Sequence, residues 1–539
     1  MIPAQNVPAG MANIVAVAAG GDRQTIVVTS FDGNGNPTGI EHRASEAADS
    51  ARIRFAHEYD LRNRLTSRQA FAEQLPPDPP EFFGTDGQTF AYDDLGRLVL
   101  ATDATSALPE GEREIVTERT LDSGSRLVRE NQRLPVNGIL TDHFIESVFQ
   151  ADGFRETLRY PVAHDAWGQP LARFELAMVP DALGRLASIT GPATAGVEPG
   201  GTTAQLLSWS YVGASPWSRT HGNRTQVRHY VPSLTSLYDG LGRSHGHRVV
   251  DLDDALGDPV VDFRYGFDRV GNLSYEQRLH EMTLDGSPDL FRTRAYRTDL
   301  LGRQTRWREG GVAEAIPPAQ AIAATSTDPS SSPASQTDGE AWTLDLVGNW
   351  QSKGTGFFDP APDTYTKNPL NQYESVDPDG TGPETPKLFT HDWLGQLRSN
   401  ESSNQQYVWD LFGRLTKVLD GSGNLIARYR YDAFNRRVEK WVPTRPTADA
   451  ITRYLYDGWR GIEERALEGT APNQLETVRA RYGFGLGLDE VVWMDRDVAY
   501  TGGVPDPSGV PDGTHWTRYY LHQDGLGSVA AVTAGARDV

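Results

Sequence analysis

Three groups of residues have types and spacings that could do chemistry. Asp32, Asn34 and Asn36 stand at alternate positions, as the first oxygen ligands of a calcium loop do. Pro37 replaces the glycine such a loop needs at its bend, and Arg43 occupies the closing acidic position, so a plain turn is expected. His245 and His247 would share one face of a strand and could hold a metal, yet no carboxylate follows as a third ligand, and a structural or surface role is expected. Gly483, Gly485 and Gly487 alternate with Phe484 and Leu486 in a superficial likeness to a dinucleotide fingerprint. No strand–helix–strand pattern surrounds them, so they read as a glycine-faced strand packed closely on a neighbour. The chain has no HExxH, no GxSxG elbow, no phosphate-cradling GxxxxGK and no cysteine. No enzyme, no cofactor and no metal site is expected.

The chemistry that does recur is structural. An aromatic residue, Asp, two variable residues, Gly, then Arg or another polar residue and an aliphatic one return along the chain. The phrase stands at Tyr92-Asp93 with Gly96-Arg97, at Tyr238-Asp239 with Gly242-Arg243, at Asp268 with Gly271, at Asp392 with Gly395 and at Asp410 with Gly413-Arg414. It is varied at Asp181 with Gly184-Arg185, at Asp299 with Gly302-Arg303 and at Tyr431-Asp432. Asp at the first position of a type I turn caps it with its side chain, and Gly three residues later takes the left-handed conformation of a G1 bulge. Each copy is therefore a hairpin corner. Asn63 and Asn435 stand where the glycine would, and Asn tolerates that conformation best among the other residues. Around the corner Phe90 and Tyr92 alternate with Ala91, and Leu98 and Leu100 with Val99, the period of paired strands. The Arg is expected beside the Asp or over a neighbouring Tyr ring, where it would link successive hairpins. Only five of the 51 basic residues are Lys, as a motif that consumes arginine requires.

These elements make an all-β chain, a long antiparallel hairpin ribbon in one continuous array. The phrase, the LNQY stretch at Leu370 to Tyr373 and the HQDGLGSV stretch at His522 to Val529 together resemble the RHS or YD-repeat family over about Tyr59 to Val532. The resemblance implies that the ribbon spirals into part of a hollow shell, as in bacterial RHS toxin shells, the C component of Tc toxins and the teneurin cocoon. It further implies a scaffold that encapsulates or presents a C-terminal polypeptide toxin in a bacterial secretion or competition system, secreted or at the cell surface. The partners implied are that toxin polypeptide or a secretion-apparatus protein. Members of the family usually continue into a core segment with a DPxG motif and a toxic tip, and neither is expected within this sequence. Asp377-Pro378-Asp379-Gly380 and Asp506-Pro507-Ser508-Gly509 precede the LGSV stretch and are expected to be turns.

Residues 1–58 lack a good copy of the phrase and read as lead-in strands or a plug, and 59–539 as the repeat array, with a loop insertion at about 310–340 rich in Ala, Pro, Ser and Thr. The formal charge of −21 disfavours binding to nucleic acid. The apolar run Ala12 to Ala19 is too short to span a bilayer and has no basic residue before it, so neither a membrane span nor a signal peptide is visible. The alternative function, from another class, is a cell-surface adhesion or carbohydrate-binding module whose Tyr and Trp residues stack on glycan rings. Ring ladders between strands explain those residues more simply.

Overall fold

The structure, a computed structural model, describes residues 14–17, 24–44, 52–73, 83–164, 169–193, 203–229, 246–254, 259–281, 292–310, 336–355, 361–378, 385–443, 450–468, 474–487, 489–497, 516–524 and 527–534. Among the described residues are 38 β-strands and no α-helix. Numbered in chain order from β1 (Ile14–Val17) to β38 (Val529–Thr533), they form one antiparallel ladder in which sequence neighbours pair. The one departure is β10 (Ile139–Thr141), a side hairpin on β9 (Leu127–Val136), which itself passes the ladder to β11 (Phe144–Phe149). Pairing runs without a break through the lead-in, where β3 (Pro37–Arg43) binds β4 (Arg52–Tyr59). It also closes across 311–335, because β22 (Gln304–Gly310) pairs with β23 (Gln336–Leu344) on either side of that segment.

Each corner is built by one local rule. At Asp93 the backbone N–H donates to Arg97 O at 3.0 Å, and Gly96 N–H donates back to Asp93 O at 2.9 Å. Asp93 Oδ1 accepts the Arg97 N–H at 2.9 Å, and Gly96 has φ +85°. The extra residue appears as a shift in register between Ala91 and Tyr92. Asn63 and Asn435 take the same position with φ 62°.

The ribbon returns on itself. Hydrogen bonds join residues between 271 and 337 positions apart, so strands near the end of the chain lie against strands near its beginning. The contact is face to face. Strand alternation puts Leu158, Leu176, Ile189 and Leu207 on one face of the earlier strands, and Trp493 and Tyr520 on one face of the later ones. All are buried in the same cluster. At roughly 1.5–3 kcal/mol per fully buried large apolar side chain, this lap contributes much of the cohesion between the two coils.

Among the described residues from β24 (Trp350–Thr355) to β29 (Gln405–Trp409) only Gly354 and Val376 are buried, so these strands are not lapped. There the rings of Trp342, Trp350, Tyr365, Tyr373 and Phe389 follow one another on one face at 5.4 to 6.5 Å. The other face carries the hydroxyl pairs Thr343–Ser352, Thr366–Ser375 and Thr390–Ser399.

Candidate functional site: the lapped seam

The corner residues do more than turn the chain. Arg97 Nε pairs with Asp93 Oδ2 at 2.6 Å, and its Nη1 reaches the next corner to donate to Asp122 O at 2.6 Å. Arg126 reaches Gln150 O at 3.0 Å, Arg303 reaches Asp345 O at 2.9 Å, and Arg185 donates to Gly213 O. A return bond comes from the following aromatic residue: Tyr92 Oη donates to Leu65 O at 2.9 Å, Tyr211 to Leu186 O at 2.7 Å and Tyr431 to Leu415 O at 2.7 Å. The guanidinium then lies over that Tyr ring, at 4.5 Å for Arg64 and Tyr92 and 4.2 Å for Arg185 and Tyr211. Asp fixes the turn, Arg spans to the next turn, and Tyr closes the loop. At Asp268 and Asp392 the residue after Gly is an amide, and Asn272 Nδ2 replaces the guanidinium at 2.8 Å while the Gln396 N–H binds Asp392 at 2.8 Å.

In the later coil the same corners are driven into the earlier one. Arg414 binds Asp410 at 2.7 Å and Asp103 at 3.0 Å, and also donates to Thr85 Oγ1 and to Asp432 O. Arg436 binds Asp432 at 2.7 Å and Glu130 at 2.8 Å and passes on to Gly458 O at 2.6 Å. Both arginines are buried, and although burial disfavours the charge, Asp103 and Asp410 beside Arg414, and Asp432 and Glu130 beside Arg436, hold each guanidinium above its ordinary pKa. The apolar residue at the tip acts as a plug: Phe412 packs 6.0 Å from the Phe55 ring under Arg68, and Phe434 lies 3.8 Å from the Arg119 guanidinium. The equivalent Leu95 and Leu183 of the earlier coil stay exposed.

Behind these corners a ladder of buried charge crosses the later strands on a single face. The strands are β31 (Leu425–Tyr431), β32 (Arg437–Trp441), β33 (Ile451–Asp457), β34 (Arg460–Glu468), β35 (Leu475–Phe484), β36 (Val491–Asp497) and β37 (Trp516–Gln523). Register places Arg430 opposite Glu439, Glu439 opposite Arg453 and Arg453 opposite Arg465. It goes on with Glu463 opposite Arg481, Arg481 opposite Asp495 and Asp495 opposite Arg518. Every member is buried. Glu463 takes Arg465 at 2.7 Å and Arg481 at 2.9 Å, and Asp495 takes Arg518 through two bonds of 2.6 and 2.7 Å.

Each free arm then crosses the seam to a main-chain carbonyl of the earlier coil. Arg430 donates to Glu112 O at 2.6 Å, Arg453 to Pro135 O, Arg465 to Val162 O at 3.1 Å and Arg518 to Pro192 O at 2.9 Å, while Arg481 lies 4.8 Å from the Phe174 ring. Arginine suits this task, since its fork holds a carboxylate on one side and a carbonyl on the other. Arg453 and His143 meet on Glu476 at 2.5 and 2.6 Å. Burial pushes that carboxyl up, but His143, Arg453 and Arg465 pull it well below its ordinary value.

Of the expected turn residues, those at 92–97, 181–185, 268–271, 299–303, 392–395, 410–414 and 431–432 occupy corners of this kind. Tyr238, Asp239, Gly242 and Arg243, with His245, lie outside the described residues, as do Asp379, Gly380 and 506–509. Asp457 makes a different bend, a two-residue turn in which it pairs with Arg460 and Gly458 has φ 62°. Asp32 is a full corner, with Asn36 in the arginine's place at 2.8 Å. Full corners also occur at Asp122, Gln150, Asn368 and Asp420. Their signal was Asp, Asn or Gln with Gly, Asn or Ser three later; Asp122, Asn368 and Asp420 lack the preceding aromatic, and Gln150 has Phe149 before it but no Asp. The charge ladder carried a signal too, in Glu463-x-Arg465, Arg479-x-Arg481 and Arg428-x-Arg430, an alternation that reads as a solvated strand face.

His247 Nε2 lies 2.6 Å from Gln523 O beside the Phe263 ring, and no group of three metal-ligating side chains occurs among the described residues. Gly483 faces Trp493 across the ladder, and a Cβ there would strike that indole.

No protein-family model and no curated protein matches the chain. Solved structures do. The Tc holotoxin pore of Photorhabdus luminescens carrying a TccC3 mutation is 16% identical with a TM-score of 0.43, over 94% of this chain and 27% of that one. TcdB2-TccC3 without its hypervariable C-terminal region is 15% identical with a TM-score of 0.43, over 95% and 28%. A TcdB2-TccC3-Cdc42 structure is 15% identical with a TM-score of 0.42, over 94% and 27%. The chain thus spans between a quarter and a third of the chains it matches.

Proposed function

We propose that this chain is a section of an RHS/YD-repeat shell, a non-enzymatic wall that encapsulates or presents a toxin polypeptide outside the producing cell. The observation that carries the reading is the seam. A ribbon that only displayed its surface would have no need to lap on itself, whereas a wall that excludes proteases must close the gap between coils. Here the gap is closed by arginines bonded on both sides and by plugs such as Phe412 and Phe434. Residues 1–58 are proposed as the lead-in and 59–539 as the wall itself. No helix of the described residues is long and apolar enough to cross a membrane.

The test is protection. The chain is produced with its native downstream polypeptide and exposed to a nonspecific protease. Survival of that polypeptide in the intact protein, and its loss after the seam is opened by Arg518→Met, is expected. Equal digestion in both would reject encapsulation. A second reading, adhesion to glycans, draws on the unlapped rings of Trp342, Trp350, Tyr365, Tyr373 and Phe389. A glycan array on the wild type and on Trp350→Ala separates the two: saturable binding lost in the variant supports adhesion.

A further inference from the structure

The two ends of the seam treat histidine in opposite ways. At the β9–β11 end His143 is held against Glu476 at 2.6 Å, so a proton on that ring is met by a carboxylate. At the other end β16 (Ser215–His221) and β17 (Thr225–His229) lie under β37 and β38, and two histidines meet across the lap. His221 and His522 are both buried, with ring centroids 5.0 Å apart, and the Tyr520 ring stacks on His221 at 5.3 Å.

Neither ring has a carboxylate among its hydrogen-bond partners. His221 Nε2 accepts a bond from Arg219 Nε at 3.1 Å, which leaves its proton on Nδ1, 2.9 Å from Thr225 Oγ1. His522 Nε2 lies 2.8 Å from Thr533 Oγ1, which also takes Asn223 Nδ2 at 2.9 Å, and His522 Nδ1 is buried without a partner. The charged groups around the pair are already engaged. Glu490 binds Arg219, Asp495 binds Arg518, Asp251, opposite Thr225 in the ladder, accepts the Asp253 N–H at 2.8 Å, and Asp524 caps its own corner through Ser528. His247 on β18 (Gly246–Asp251) adds a further basic group, bonded to Gln523 O. A cavity of about 300 Å³, lined by Arg219, His247, Glu490 and Gln523 among others, borders the groups that flank the pair.

We propose that His221 and His522 form an acid-operated latch, in which a proton on either ring frees the β37–β38 end of the lap from β16–β17 while the rest of the seam stays closed. A second cation there would sit beside Arg219 with no free anion to meet it. The sign follows from linkage. Burial, and after it the Arg219 charge, lower both histidines: His522 to about 3, and His221 well below its ordinary 6.5. The closed seam therefore binds fewer protons than the open one below pH 6.5, and closure is lost as pH falls through that value. At pH 5.0 each neutral-held ring shifts the opening equilibrium by about thirtyfold, and the pair by about a thousandfold. The latch concerns the seam alone and does not depend on what the wall encloses.

Hydrogen exchange on the full chain at pH 7.5 and 5.0, corrected for the intrinsic pH effect, reads this directly. The expected result is a selective loss of protection in Trp516–Gln523 and Val529–Thr533 at pH 5.0, by about thirtyfold if one ring takes a proton on opening and about a thousandfold if both do, with Leu127–Val136 unchanged. His221→Gln with His522→Gln should abolish the pH dependence. A uniform loss along the chain, or the same pH dependence in the double variant, overturns the proposal. Should that variant not fold, 13C-histidine NMR of the wild type decides: the rings should stay neutral until these strands open, and a ring that protonates near pH 6.5 with protection intact overturns it.

Discussion

Arg518→Met should loosen the seam more than any corner change. Arg518 and Asp495 are both fully buried and joined by two bonds of 2.6 and 2.7 Å, and Arg518 gives a third to Pro192 O at 2.9 Å across the lap. Methionine keeps the apolar stem but removes the guanidinium that lies 4.9 Å from the Trp493 ring centroid, and leaves the Asp495 carboxylate buried without its partner. Breaking a buried pair on one side typically costs about 3–5 kcal/mol, whereas removing both partners together is often nearly neutral. Arg518→Met should therefore cost about 3–5 kcal/mol, and Arg518→Met with Asp495→Leu should recover most of it. Urea unfolding of the wild type, both single variants and the double variant gives the coupling from one thermodynamic cycle, provided the slopes agree. A single variant within about 1 kcal/mol of wild type, or a double variant no better than the single, would refute the buried Arg518–Asp495 pair as a strong member of the charge ladder.

Gly413→Val places a β-branched residue at φ +80°, with its Cβ 3.2 Å from Gln396 Nε2, and should cost about 1–3 kcal/mol, read as a lower urea midpoint. Gly302→Val, at φ +76°, should behave alike. Gly483→Ala drives a methyl into the Trp493 indole and should cost about 1–3 kcal/mol, with a changed near-UV signal from that Trp. Glu476 has a lowered folded pKa, so its stabilisation is present above its ordinary 4.5 and is lost as pH falls towards the folded value. Glu476→Gln should then weaken the protein at pH 7 and flatten its acid unfolding below pH 4.5, as thermal melts across pH would record.

The corners were legible because their rule is local. Asp93, Gly96 and Arg97 lie within five residues, and the turn, the bulge and the Asp–Arg pair all follow from that spacing. The bond from Arg97 to the next corner was legible only as a choice between Asp and a Tyr ring. The structure gives Arg97 the Asp, and gives Arg64 and Arg185 both the Asp and the Tyr ring, in each case with a carbonyl that no side-chain pattern announces. The corners at Asp122 and Asp420 were missed as full copies because no aromatic precedes them, although the hydrogen bonds of the turn need none. The close approach expected at Gly483 followed from a glycine in a strand, but its occupant, Trp493, depends on register. The seam could not be read at all. Arg453 and Glu463 look like a solvated face until strands some 300 residues away cover them, and nothing in a local window foretells that return.

The central claim is that return, and a distance tests it. Ile139 and Leu475 are exposed and sit beside Asn137 and Gln474, which bond to each other at 3.1 Å across the lap. The chain has no cysteine, so Ile139→Cys with Leu475→Cys accepts two spin labels cleanly. Pulsed electron–electron resonance should find them about 15–25 Å apart, the side-chain separation plus the label arms, since the lap brings their strands into contact. A ribbon with the same hairpins but no lap would place them about 120 Å apart, at about 4.8 Å for every step of the ladder between, and a distance beyond about 50 Å would contradict the closed seam.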